Sequence, residues 1–306
     1  MMKKIIFMGT PSYATCILKA LLEDENFELL ALFTQPDRAV GRKQILTPSD
    51  TKAFLCQNAP QIPIFTPNSL KDESIANEIR ALNPDFIVVA AYGKILPKAI
   101  LNLAPCINLH ASLLPKYRGA SPIQSAILNN DKISGVCTML MEEGLDTGAV
   151  LESIECNIKD KNASEVFEIL ANLAAKLTLS TLLNFEKITP KKQDENLATH
   201  CKKIKKEDGL INLNCAREIY QKYLAFMPWP AIFLENGLKF IELELVDEIK
   251  QNAKVGEILN LEKESFLLAC KKGILRIKKL QESGKKALDG KTYLNGKRLK
   301  VGDSLY

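Results

Sequence analysis

The first half of the chain alternates continuous apolar runs with amphipathic stretches, and this limits the possible folds more than any other feature. Apolar runs occupy residues 4–8, 28–33, 85–92, 106–109 and 135–141. Runs without polar alternation suit strands covered on both faces. Between them, residues 14–22, 50–57, 71–82 and 122–128 carry helical spacing. Ser121 followed by Pro122 offers an N-cap and a first helical position. Repetition of this kind predicts an α/β domain with a mostly parallel sheet and right-handed crossovers. Asn162 and Glu165 have capping-box spacing, and Val166, Leu170, Leu173 and Leu177 line one face of a helix running toward Phe185.

The composition then changes. Residues 187–206 are polar, charged and poor in periodic apolar positions, as in a linker. A helical pattern follows at 216–226, then short strand-like runs at 231–234, 239–246, 265–269 and 274–277. This predicts three regions: an α/β domain at 1–186, a linker at 187–206 and a small β domain of barrel type at 207–306. Charge is unevenly spread over the last region. Residues 271–300 hold eleven Lys/Arg against two acids, whereas 207–270 hold six against eleven. A basic run of this density is expected either to face a polyanion or to form a solvated lysine-rich surface.

Other classes are disfavoured. The apolar run after Lys3-Lys4 is too short for a signal peptide, and no apolar run reaches span length, so no membrane role is expected. The eight cysteines form no Cys-x-x-Cys pair. They read as reduced thiols of a cytoplasmic protein and give no support to a zinc cluster.

Chemistry-bearing residues gather where apolar runs end. In open α/β sheets, functional groups collect just past the carboxyl ends of strands. Asn108 and His110 are two apart on a strand and project to one face. An Asn amide donates to a developing oxyanion, and a His exchanges protons near neutral pH. Taken singly, each has an ordinary structural reading; the pairing at a strand end raises the functional one. Asp146 lies in a polar turn between Gly144 and Gly148. It is either a turn former or the carboxylate that orients His110. Gly9-Thr10-Pro11 lacks a full dinucleotide or phosphate-loop pattern and reads as a tight strand-to-helix turn. The loop from Gln35 to Lys43 is basic through Arg38, Arg42 and Lys43.

Six ordered segments resemble the methionyl-tRNA formyltransferase family. They are Phe7–Pro11, Phe33–Arg38, Ala91–Pro97, Asn108–Gly119, Gly144–Gly148 and Pro228–Pro230. The Asn-x-His-x-Ser-Leu-Leu-Pro segment alone points to folate-dependent formyltransferases in general. The arginine-bearing loop and the C-terminal β domain point to the tRNA enzymes among them, over relatives that use a small amine. The resemblance implies a Rossmann-like catalytic domain, an OB-like β-barrel, 10-formyltetrahydrofolate as donor, initiator methionyl-tRNA as acceptor and a monomer. It needs no metal, since an amine is already a competent nucleophile. It further implies Asn108, His110 and Asp146 as catalytic residues. Folate contacts are expected from Ser112, Leu113, Leu114, Pro115, Ala91, Tyr92, Ile95, Leu96 and Met141. Contacts with tRNA are expected from Arg38, Arg42 and Lys43, and from Arg276 and Lys278 on a strand that turns Leu275 and Ile277 inward. There are two departures: position 111 is Ala where many relatives have Gly or Pro, and the loop after Arg42 is less basic than in many relatives.

Overall fold

The computed structural model describes residues 2–41, 43–249 and 253–305. Chain contacts divide it into two compact units. The first holds the chain up to Pro122, Ile133–Asn157 and Phe167–Cys201; the second holds Ile123–Lys132, Ile158–Val166 and the chain from Lys202 on.

The first unit is built on β1 (Lys3–Gly9), β2 (Phe27–Phe33), β3 (Ile64–Phe65), β4 (Phe86–Ala90), β5 (Cys106–His110), β6 (Ile133–Leu140) and β7 (Val150–Asn157). They form one sheet in the order β7-β6-β5-β4-β1-β2-β3. The β1–β2, β1–β4, β4–β5 and β2–β3 pairs are parallel. The β5–β6 and β6–β7 pairs are antiparallel. The predicted mostly parallel α/β sheet is therefore present. All five predicted strands and all four predicted early helices lie within a few residues of their expected positions, the helices being α1 (Ser12–Glu23), α2 (Asp50–Asn58), α3 (Glu73–Leu82) and α4 (Pro122–Leu128).

Ile5, Ile6, Phe7 and Met8 are all fully buried, as a strand covered on both faces requires. Each such side chain contributes about 1.5–3 kcal/mol by leaving water. The order in which strands are added reverses at β1, which lies between β2 and β4. That switch point opens the crevice in which α/β sheets bind ligands.

Helix α5 (Ala163–Asn184) starts at the predicted capping box. Asn162 Oδ1 accepts from Glu165 N at 3.1 Å, and Glu165 Oε2 accepts from Asn162 N at 2.8 Å. One correction concerns length: the stretch Ala163–Lys187 is long and apolar enough to cross a membrane, by length and composition. Half of its most apolar window is buried. Its Thr181 hydroxyl lies 2.9 Å from that of Thr138 and bonds Glu152 Oε2 at 2.6 Å.

The second unit contains α6 (Ala216–Ala225), α7 (Gly290–Lys297) and an antiparallel sheet. Its strands are β8 (Ile232–Phe233), β9 (Lys239–Asp247), β10 (Ile258–Leu261), β11 (Phe266–Ala269) and β12 (Ile274–Gln281). The order is β8-β9-β12-β11-β10, with Leu288–Asp289 also on β12. Leu275 and Ile277 are fully buried, as their alternation predicts.

Of the elements absent from the sequence reading, the following have a clear physical reason. The hairpin Arg38–Val40/Ile45–Thr47 has three residues per strand, all exposed, so it buries no face that would impose an apolar–polar alternation. Strand β7 alternates half-buried and exposed positions rather than forming an apolar run. Helix α7 contains two glycines and few apolar residues, but Asp289 caps it by accepting from Thr292 N at 2.8 Å.

The expected linker at 187–206 also differs. Residues through Cys201 belong to the first unit. Lys191 exchanges both backbone hydrogen bonds with Val150, and His200–Cys201 pairs in parallel with Arg118–Gly119. Specific hydrogen bonds hold this stretch in place; apolar periodicity, the signal a sequence reading detects, plays no part.

Candidate active site

Parallel pairing sets Asn108 beside Val89, while antiparallel pairing sets His110 opposite Cys137. Both site residues thus lie on a strand held from two sides. His110 is 5% exposed. Its Nε2 lies 2.9 Å from the Tyr117 carbonyl oxygen. A carbonyl only accepts, so Nε2 carries the hydrogen. Nδ1 then faces Asp146 Oδ2 at 3.6 Å. The cross-strand neighbour, Cys137, adds no charge: burial pushes its thiol up to about 11.

Asp146 completes the cluster. Its Oδ1 accepts from Asn108 Nδ2 at 3.3 Å, and its Oδ2 from Gly119 N at 2.8 Å. One of the two amide hydrogens of Asn108 is thereby used. Two glycines permit this geometry. Gly119 has φ +121, and a β-carbon there would overlap the Cys201 carbonyl. A β-carbon at Gly148 would overlap the Leu140 carbonyl. Asp146 itself is left-handed at φ +55, a conformation that a side chain adopts only when its surroundings hold it.

Those surroundings include residues that sequence reasoning missed. Gln193 Nε2 donates to the carbonyls of Asp146 at 2.8 Å and Gly148 at 2.7 Å. Its Oε1 accepts from Arg118 Nε at 3.0 Å. Arg118, 1% exposed, also donates to both oxygens of Glu195 at 2.9 and 2.7 Å. The Glu195 hydrogen bonds hold the guanidinium above its ordinary value, and Arg118 in turn holds the Glu195 carboxyl below its own. Arg118 lay inside a recognised motif but had no role; Gln193 and Glu195 lay in the supposed linker and carried no signal.

The expected folate residues divide by exposure. Ser112, Tyr92 and Leu96 are buried, whereas Ala91 and Ile95 are exposed and Leu113, Leu114, Pro115 and Met141 are half-buried. Ser112 bonds the Lys116 carbonyl at 2.6 Å. The Tyr92 carbonyl accepts from Thr10 Oγ1 at 3.2 Å and Gln35 Nε2 at 2.9 Å. Two further recognised motifs, after β1 and β2, thus hold the loop that follows β4.

The expected tRNA residues divide between the two units. Arg38 and Lys43 are exposed on the 38–47 hairpin, with Arg38 donating to Gln35 Oε1 at 3.1 Å. Arg42 lies outside the described residues. In the second unit, Arg276 is paired with Glu244 at 2.6 Å and Glu262 at 2.8 Å. Lys278 is paired with Glu244, and with Glu242 at 3.8 Å. The basic run therefore meets the acidic run across β9 and β12, which cancels much of the expected positive field at this strand. Among the described residues, no group of three or more His, Cys, Asp or Glu is placed to hold a metal ion.

A family model described as "Formyl transferase" matches residues 2–181, and "Formyl transferase, C-terminal domain" matches 203–298. The methionyl-tRNA formyltransferase of Campylobacter jejuni subsp. doylei is 85% identical over 304 residues, covering 99% of this chain and all of its own. The chain belongs to the methionyl-tRNA formyltransferase family. Two solved structures share the fold of this family member. A sugar 3N-formyl transferase, WlaRD, was crystallised with dTDP and 5-N-formyl-THF. It has a TM-score of 0.67 at 20% identity, covering 94% of this chain and all of its own. HypX from Aquifex aeolicus in complex with tetrahydrofolic acid has a TM-score of 0.64 at 16% identity, covering 96% of this chain and 47% of its own.

The Arg118–Glu195 pair gives a signed pH dependence. A carboxyl lowered on folding stabilises the fold above its unfolded value and loses that contribution as pH falls through the folded value. For Glu195 the contribution is complete above its ordinary 4.5 and disappears below it. In urea melts from about pH 3 to pH 6, Glu195→Gln is expected to lose less stability on acidification than the wild type. Parallel curves for the two proteins would show that the pair contributes nothing.

Proposed function

We propose that this chain, as a cytoplasmic monomer, transfers the formyl group of 10-formyltetrahydrofolate to the free α-amino group of methionine esterified to initiator tRNA. The product supplies translation initiation. The observation that carries this reading is the Asn108–His110–Asp146 cluster at a strand end, in a chain that matches methionyl-tRNA formyltransferase along its whole length.

The neutral amine attacks the formyl carbon, and the carbonyl π pair moves to oxygen. The second amide hydrogen of Asn108 is assigned to this developing charge, and His110 becomes a second donor once Nδ1 has taken up the amine proton; donors preorganised in this way stabilise it. Asp146 keeps His110 in place and helps carry the proton from the attacking nitrogen to the leaving folate nitrogen. The carbon–nitrogen bond to folate then breaks, leaving tetrahydrofolate. Ala91, Ile95, Leu113, Leu114, Pro115 and Met141 are assigned to the folate surface, while Ser112, Tyr92 and Leu96 support it from behind.

In this reading Arg38, Arg42 and Lys43 meet the acceptor end of the tRNA. The second unit is assigned an OB-like fold and a phosphate-positioning role. Arg276 and Lys278 take part by exchanging their carboxylate partners for phosphate, so each releases less binding energy than an unpaired cation.

Substrate choice is tested by offering labelled formylfolate with charged initiator tRNA, charged elongator methionine tRNA and small amines in parallel. Initiator tRNA is expected to be formylated much the fastest. Efficient transfer to an amino sugar or another small amine, with none to tRNA, would assign the chain to a different acceptor. The cluster is tested under saturating substrates. Asn108→Ala and His110→Ala are each expected to lower kcat about 100- to 1000-fold, the usual loss for an oxyanion donor. Asp146→Ala is expected to cause a large loss too, with folate binding far less affected. Wild-type turnover in any one variant would remove that residue from the mechanism.

A further inference from the structure

The stretch from Lys191 to Cys201 contacts both halves of the catalytic cluster from behind. Gln193 is 6% exposed and uses its whole amide. Both Nε2 hydrogens go to the turn that carries the catalytic carboxylate, at Asp146 O and Gly148 O, and Oε1 takes the Arg118 Nε hydrogen. A flipped amide would aim oxygen at two carbonyls and nitrogen at a guanidinium, so the orientation is unique. Arg118 is itself immobilised by its two bonds to Glu195. Six residues after Gln193, the Thr199 carbonyl accepts from Arg118 N at 2.8 Å and Thr199 Oγ1 accepts from Tyr117 N at 2.8 Å. Tyr117 supplies the carbonyl that holds His110.

We propose that Gln193, braced by Arg118 and Glu195, is a positioning residue for formyl transfer: it fixes the left-handed Asp146 turn so that the carboxylate stays aligned with His110 and Asn108. This rests on the catalytic assignment of Asn108, His110 and Asp146 made above. Gln193 touches no substrate and no reacting atom. It acts through two backbone carbonyls, one on the catalytic residue and one two positions on. The Asp146 Oδ2–His110 Nδ1 separation is 3.6 Å, and the oxygen is also held by Gly119 N. A displaced turn would change both. Misplacement of a reacting group by about 1 Å can cost about 100-fold in rate.

The test is a pair of substitutions read by full steady-state kinetics. Gln193→Glu keeps size and the Arg118 contact but sets oxygen against the two carbonyls. Gln193→Met keeps length and removes every polar contact. Both are expected to fold, as judged by cooperative urea melts. Both are expected to lower kcat about 10- to 100-fold, with KM for formylfolate and for tRNA unchanged within about twofold. In an Asp146→Ala background, neither is expected to lower kcat further, because there is no carboxylate left to position. Full additivity with Asp146→Ala would overturn the proposal, as would wild-type kcat in both single variants or unfolding of both. If Asp146→Ala itself retained wild-type kcat, the catalytic assignment would fail together with the proposal. A low kcat in Asp146→Ala beside active Gln193 variants would sink the proposal alone.

Discussion

A carboxylate only 13% exposed has to find hydrogen-bond donors inside the protein or lose heavily on folding. Asp146 finds them in Gly119 N and Asn108 Nδ2, and turns its second oxygen toward His110. The immediate surroundings of the site follow from this demand. Gly119 must lack a β-carbon so that the Cys201 backbone can approach. Tyr117 must present its carbonyl to the imidazole. The turn must hold a left-handed aspartate, which it does through Gln193.

The sheet supplies the frame. Strand β5 is paired on both sides, so Asn108 and His110 cannot shift without breaking two ladders. Beside it, the switch between β1 and β4 leaves the loop after β4 to be held by Thr10 and Gln35 through one carbonyl. In the second unit the same economy works with charge: the basic strand β12 lies against acidic β9, and Arg276 is satisfied by two carboxylates.

Much of this was legible in the sequence because burial leaves a periodic trace. The runs at Ile5–Met8 and Phe86–Ala90 could be read as covered strands since every position there is buried. The capping box at Asn162 and Glu165 was readable because it is local. Asn108 and His110 stood out through their spacing, and Asp146 through its glycines. Gln193 was invisible, since a glutamine in a polar stretch looks the same whether it faces water or two carbonyls 45 and 47 residues away. Arg276 and Lys278 were legible as outward cations, but the glutamates that meet them lie on another strand, and pairing across strands is not written locally.

The orientation of His110 is the hinge of the proposed mechanism, because only the nitrogen not bound to Tyr117 faces Asp146. The direct measurement is nitrogen-15 NMR of the imidazole rings. The chain has two histidines, and His200→Gln would assign the second signal set. The expected result for neutral His110 is a protonated Nε2 and a bare Nδ1. A neutral ring protonated on Nδ1 instead would contradict the arrangement, since His110 could then no longer donate to the Tyr117 carbonyl and Asp146 would face a different tautomer.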